Sequence, residues 1–251
     1  MLRLLLVLLC LALPVRAEQV VAGLSQNRVA INTNFDGLEI LIFGAVKREE
    51  AIATEPPLQV IVTVAGPSRP LTVRKKDRRF GIWVNADSLH VDRAPTFYVV
   101  ATSAAWDEVL SFEEDFRNRI SIPRAIRADG APEAADTKGD FTDALIRLRE
   151  ETGLYQTLIG EVELTEDTLF RATVALPANL TEGEYVTRFF LTRGGEIIDR
   201  KETVIFVHKV GLERFLFSMA HEQPLLYGLM SIMIAIGAGW GASTLFRYLR
   251  G

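Results

Sequence analysis

The most concentrated chemistry in this sequence is cationic. Arg74, Lys75, Lys76, Arg78 and Arg79 fall within one short run, interrupted only by Asp77. Clustered guanidinium and ammonium groups can hold a small anion or the headgroups of anionic lipids. The competing reading is a solvated turn between Val73 and Phe80, which is what most short charge runs are. Other residues with ligand or catalytic potential are dispersed. His90, His208 and His221 stand far apart and lack zinc-ligand spacing. Asp129, Glu133, Asp136, Asp140 and Asp143 gather acidity without the Asp-x-Asp-x-Asp-Gly order of a calcium loop. Nucleophile-elbow, Ser-x-x-Lys and glycine-rich phosphate motifs do not occur. The pair Glu113-Glu114 is no glycosidase signal, because carboxylate separation in space defines that chemistry. The expectation is a non-enzymatic protein with no cofactor and no bound metal.

A second pattern is made of small residues. Ala235, Gly237, Ala238, Gly239, Gly241 and Ala242 form a smooth strip that lets two helix backbones approach closely in lipid. Glycine is also simply frequent in membrane helices, which is the plainer account. The strip lies in Pro224–Phe246, a segment without a single charge. Its length as a helix is about 35 Å, enough to cross a bilayer with some tilt. Pro224 suits a first helical turn. Tyr227 and Trp240 suit the two interfaces, and Arg247 and Arg250 in the tail 247–251 predict a cytoplasmic C-terminus. Before the span, residues 211–223 place Leu212, Phe215, Leu216 and Met219 on one helical face, as an amphipathic juxtamembrane helix would.

The N-terminus has secretory anatomy. Arg3 precedes the apolar run Leu4–Leu13, Pro14 follows, and Val15-Arg16-Ala17 offers small residues for cleavage before Glu18. Residues 1–17 are therefore expected to be a signal peptide, with the main domain outside the cytoplasm. Cys10, the single cysteine, falls inside that segment. Leu9 before it does not fit a lipoprotein site. Disulfides and zinc–thiolate chemistry in the mature chain are excluded. Four of the 28 basic residues lie in the two terminal segments, which hold no acids. The remaining 24 face 32 acids across 18–223, a net charge of −8. An acidic domain of this kind is not a general nucleic-acid binder. The expected partners are a membrane and another membrane protein, or a second copy met through the span.

These residues need elements to hold them. Residues 18–103 read as a first β part: Val29–Thr33, Leu38–Val46, Leu58–Val64, Leu71–Val73, Gly81–Val84 and Phe97–Thr102 are β-branched runs spaced by turn residues. Residues 104–157 change period. Trp106, Val109, Leu110, Phe112 and Phe116 make a helical stripe. Ala128–Gly139 reads as a loop, and Asp140-Phe-Thr-Asp143 as a capping box opening a helix with Phe141, Leu145 and Leu148 on one face. Gly153 is expected to end that helix. Residues 158–210 read as a second β part, with Arg193-Gly-Gly-Glu196 as a hairpin turn. The fold class is mainly β: an immunoglobulin-like β-sandwich ectodomain of one or two β parts, a helical insertion and one C-terminal transmembrane helix.

Ile31, Phe35-Asp-Gly37, Leu38–Ala45, Gly81-Ile-Trp-Val-Asn85, Pro95-Thr-Phe-Tyr98 and the span together resemble a family of alphaproteobacterial transmembrane proteins of unassigned function. The resemblance runs from signal to tail and carries over no catalytic residue. It implies a setting beside permeases of the sulfite-exporter type. The leading expectation is a single-pass, membrane-anchored periplasmic protein of the bacterial inner membrane, acting as a non-catalytic accessory or interaction subunit. The alternatives are a periplasmic small-anion or ligand binder using Arg74–Arg79 or the Trp83 region, and an enzyme whose site no motif reveals.

Overall fold

In the computed structural model, the structure describes residues 18–32, 35–48, 55–128, 135–210 and 219–250. The expected signal peptide and most of the juxtamembrane segment, 211–218, lie outside the described residues. Two compact units are present. One is β-rich and ends at Val207, without residues 30–35; the other comprises 30–35 and 208–251.

Twelve strands are described: β1 (Glu18–Leu24), β2 (Arg28–Ile31), β3 (Leu38–Arg48), β4 (Leu58–Ala65), β5 (Ser68–Arg79), β6 (Ile82–Pro95), β7 (Tyr98–Thr102), β8 (Tyr155–Leu158), β9 (Glu163–Thr165), β10 (Leu169–Leu176), β11 (Gly183–Arg193) and β12 (Glu196–Lys209). They form a four-stranded sheet ordered β1-β3-β10-β9, a six-stranded sheet ordered β2-β12-β11-β4-β7-β8, and the separate hairpin β5-β6. Strands from the two expected β parts share both sheets, since β10 pairs with β3 and β11 with β4. The mainly β fold with a helical excursion and one apolar C-terminal helix is as the strand spacing predicts.

Burial follows sheet position. In β10 the side chains alternate, with Phe170, Ala172, Val174 and Leu176 buried and their neighbours exposed. That is the mark of a sheet with one face in water. In β4 Val60, Ile61, Val62, Thr63 and Val64 are all buried, as is every residue of β7. These strands are covered on both faces. Phe189 of β11 meets Phe170 of the other sheet at 6.0 Å between ring centroids. The opposite face lies under the helices: α1 (Trp106–Val109), α2 (Phe112–Asn118), α3 (Ile122–Ala125) and α4 (Ala135–Glu151). The excursion returns to place β8 parallel to β7, the arrangement that requires a long crossover. Tyr185 donates its hydroxyl to the Thr181 carbonyl at 2.7 Å, which ties the start of β11 to the turn before it.

Several local expectations change. The stripe over 106–116 is two helices, because Leu110 is extended and Ser111 starts a new helix, accepting from Glu114 N–H. The break rotates Phe112 and Phe116 outward, where they flank the Arg124 guanidinium at 5.0 Å from each ring. Glu114 and Asp115 are buried in their place. The expected loop over 128–139 is helical from Ala135, so Asp140 and Asp143 lie inside α4 and cap nothing. Phe141 and Leu145 are buried as expected, whereas Leu148 is exposed. Gly153 does stop the helix, at φ +69°. Gly194 and Gly195, at +59° and +83°, form the two-residue turn between β11 and β12.

An ion cluster joins the sheet ends. The Glu18 carboxylate on β1 accepts from Arg48 Nε on β3 at 2.7 Å and from Arg193 on β11 at 3.0 and 3.1 Å. Arg48 also reaches Thr168 Oγ1 at 3.2 Å and the Asp167 carbonyl. Burial pushes the Glu18 carboxyl up, but its bonds to Arg48 and Arg193 outweigh that and hold it below its ordinary value. A carboxyl with a lowered folded pKa adds stability above its unfolded value, and that contribution is lost as pH falls through the folded value. Unfolding midpoints should therefore decline as pH drops below 4.5. Glu18→Gln should lower the midpoint at neutral pH and flatten that acid decline, as scanning calorimetry in detergent would read.

Candidate functional site

The basic run is a strand, not a turn. Arg74 to Arg79 continue β5 and pair with β6 through Arg74–Ser88, Lys75–Asp87, Lys76–Asn85, Asp77–Val84, Arg78–Trp83 and Arg79–Ile82. The chain reverses at Phe80 and Gly81, with φ of +51° and +85°. The sequence expectation missed this because the charges hide the alternation that marks a strand. The base of the hairpin is held by Leu89 and Val91, which are buried. Beyond the irregularity at Lys75/Lys76 the ribbon is exposed on both faces.

The tip is apolar. Phe80 is fully exposed, and Ile82 and Trp83 are about two-thirds exposed at 65% and 68%. A phenylalanine at positive φ costs on the order of 1–3 kcal/mol relative to relaxed backbone. Glycine or asparagine would avoid that cost. Phe80 makes no compensating burial within the fold.

A cavity of about 350 Å³ opens where the hairpin base meets α4. Val73, Phe141, Ala144 and Leu148 supply an apolar lining, and Arg74, Lys75 and Arg147 supply cations against Asp87 and Asp140. The structure thus divides the basic residues. Arg74 and Lys75 line this cavity, while Lys76, Arg78 and Arg79 stay with the tip. Arg147 and Asp140 join from a helix distant in sequence, which no local motif announces.

A polar cluster under the helices is also absent from the sequence reading. Arg188 on β11 donates to the Asn118 carbonyl at 2.9 Å, the Arg119 carbonyl at 3.2 Å, Thr63 Oγ1 at 3.2 Å and the Tyr98 hydroxyl at 3.0 Å. Tyr98 in turn donates to the Ile120 carbonyl at 2.7 Å. Asp115 closes the same loop, accepting from Ile120 N–H, Ser121 N–H and the Ser121 hydroxyl at 3.1, 2.7 and 2.7 Å. Burial raises the Tyr98 pKa, and the Arg188 charge opposes that without cancelling it. The phenol stays neutral and acts as a hydrogen-bonding strut. The one sequence signal was an arginine inside the otherwise uncharged run Tyr185–Leu191.

His90 lies 3.9 Å from Asp92 and 3.5 Å from Thr72 Oγ1, near the hairpin base. Among the described residues, no three His, Cys, Asp or Glu side chains come together as metal ligands would. Asp129 and Glu133 lie outside the described residues.

The second unit carries α5 (Pro224–Arg250), which starts at Pro224 as expected and runs on past Phe246. Within it Pro224–Ser243 is long and apolar enough to cross a membrane, and none of it is buried. Side chains built at Gly237, Gly239 or Gly241 would meet nothing within 4 Å. The family model described as "Putative transmembrane protein (Alph_Pro_TM)" matches residues 19–248. The chain belongs to this transmembrane family. No curated protein matches it. Among solved structures, the sporulation control protein Spo0M from Bacillus subtilis aligns at 12% identity with a TM-score of 0.27. The alignment covers 81% of this chain and 54% of that one, so the chain spans about half its length. A likeness at that score carries no argument for fold or function.

For this family member, the polar cluster makes a prediction about what holds the helices down. Tyr98→Phe leaves the Ile120 carbonyl and one Arg188 N–H without their partner in a buried site, which should cost about 1–3 kcal/mol. Arg188→Met should cost a similar amount. The double variant should lose less than the sum, because both act on one loop. Denaturant unfolding of the full chain in detergent measures all three.

Proposed function

We propose that this chain is a single-pass, membrane-anchored periplasmic protein of the bacterial inner membrane, serving as a non-catalytic accessory or interaction subunit of a membrane system. The observation that carries this reading is α5, whose apolar length has no cover among the described residues. Such a surface is stable in lipid or against another helix and costly in water. Arg247 and Arg250 beyond the span support a cytoplasmic C-terminus and a periplasmic β-rich unit. The strip Ala235, Gly237, Ala238, Gly239, Gly241 and Ala242 supports close pairing of α5 with another helix. Its partner is a second copy or a membrane protein, and the family resemblance suggests anion export as the setting. Display of apolar side chains on the β-rich unit also suits contact with other molecules: Val21, Leu41, Phe43 and Leu169 are exposed on one face of the four-stranded sheet.

In a membrane reporter of helix association, Gly237→Leu combined with Gly241→Leu should weaken the signal of α5 several-fold. An unchanged signal removes the pairing claim. Purification in mild detergent tests the wider reading, and a clean monomer without any partner counts against it.

A second reading has its own observation. The cavity between hairpin and α4 sets three cations against two carboxylates over an apolar floor, a net positive lining that suits a small anion with an organic or oxyanionic body. Sulfite, sulfate and phosphate should then raise the melting temperature of the detergent-solubilised chain with saturation, as binding to the folded state requires. Arg147→Ala should abolish the rise. A melting temperature indifferent to all three anions rejects this reading.

A further inference from the structure

We propose that the tip of the β5–β6 hairpin is a lipid-binding element, in which Phe80, Ile82 and Trp83 enter the interfacial zone of an anionic bilayer while Lys76, Arg78 and Arg79 hold its phosphates. The inference rests on the membrane-anchored reading above for the presence of a bilayer, and otherwise on the hairpin alone.

The arrangement is layered. Phe80 stands at the apex, Ile82 and Trp83 follow it, and each is paired across the ribbon with a cation, Arg79 and Arg78 respectively. Cross-strand partners share a face, so both faces of the ribbon present one apolar side chain beside one guanidinium. Lys76 lies on the Trp83 face two pairs further back, behind Asp77–Val84. Apolar groups foremost and cations directly behind is the order in which an interface is met from water: headgroup phosphates lie outside, acyl chains within. Tryptophan is enriched at that depth because its ring is apolar and its N–H is polar.

Charge argues the same way. Residues 74–87 carry five bases and two acids, a net of +3, within an exported part of net −8. Asp77 takes one arginine as a partner, Arg79 at 3.5 Å, and both remain exposed. The tip is therefore a local positive patch on an acidic protein, matched to an anionic surface. A protein partner fits less well. Three side chains on a convex apex offer roughly 500 Å², below the ~800 Å² per partner of an ordinary interface. A bilayer needs no complementary shape. The backbone strain at Phe80 is consistent with display, since the residue is fully exposed among the described residues. A chain that already carries a membrane span also keeps lipid at high effective concentration, so a weak contact is occupied.

The test uses the full chain with Trp106→Phe and Trp240→Phe, which leaves Trp83 as the only tryptophan. It is reconstituted into phosphatidylcholine vesicles with and without phosphatidylglycerol, some lipids carrying bromine on the acyl chains. The expected result is blue-shifted Trp83 emission, quenched by brominated lipid in the anionic vesicles and returning to a water-like spectrum at high salt. Each of Lys76→Gln, Arg78→Gln and Arg79→Gln should lower the ratio of inserted to free tip about fivefold. A water-like, unquenched Trp83 in both compositions overturns the proposal, as does quenching of equal strength in neutral vesicles. A second readout uses the native sequence. Trypsin cleavage after Arg78 and Arg79 should be slower in anionic than in neutral vesicles, and equal rates overturn the proposal independently of the tryptophan replacements. Resistance to alkaline extraction reports the anchor separately, so a failed hairpin and a failed anchor are distinguishable.

Discussion

The β-rich unit depends on one requirement: the second face of its six-stranded sheet must be covered. β4 and β7 carry apolar side chains on both faces, so a lone sheet-on-sheet packing would leave Ile61, Tyr98 and Val100 in water. The helical excursion between β7 and β8 supplies the cover. Its docking is polar at the centre. Arg188 rises from β11 to bind the carbonyls of residues 118 and 119, and Tyr98 rises from β7 to bind that of residue 120. A loop full of backbone acceptors cannot sit on an apolar sheet without such donors, because each unpaired buried carbonyl is costly. The two side chains therefore decide where the excursion lands, and the landing makes the long parallel crossover to β8 feasible.

The hairpin β5–β6 follows the opposite logic. Its base joins the packed body through Leu89 and Val91, and its cavity with α4 mixes charge and apolar lining. Its outer half has no core to join. Isolated two-stranded ribbons are marginal in water, and this one adds a strained, exposed phenylalanine at its apex. The tip and α5 are two places where the described residues leave large apolar side chains outside a packed body. The acidity of the rest of residues 18–223 sharpens the contrast, since the basic residues that line the cavity and the tip stand out against it.

The amino-acid sequence was most informative where a single physical rule governs a segment. An uncharged run from Pro224 to Phe246 marks a candidate span, because hydrocarbon excludes charge. Paired glycines after Arg193 accept positive φ, and the β11–β12 turn is where they stand. β-branched runs spaced by turn residues gave the mainly β fold, since side-chain period and turn chemistry are local properties. Legibility failed where charge masked period, as in Arg74–Arg79, and where a two-residue break at Leu110 and Ser111 turned a helical stripe outward.

By itself, then, the sequence determined the candidate span, the strand-rich composition, the acidity of residues 18–223 and the presence of a basic run. Each follows from residues that are neighbours in the chain. Tertiary structure decided which of those bases face a cavity and which crown a tip, that Arg147 and Asp140 join Arg74 and Lys75, and that Tyr98 and Arg188 anchor the helices. Those relations link residues from about twenty to more than seventy positions apart. They are fixed by strand order and register, which depend on how whole faces pack, and no local pattern encodes them.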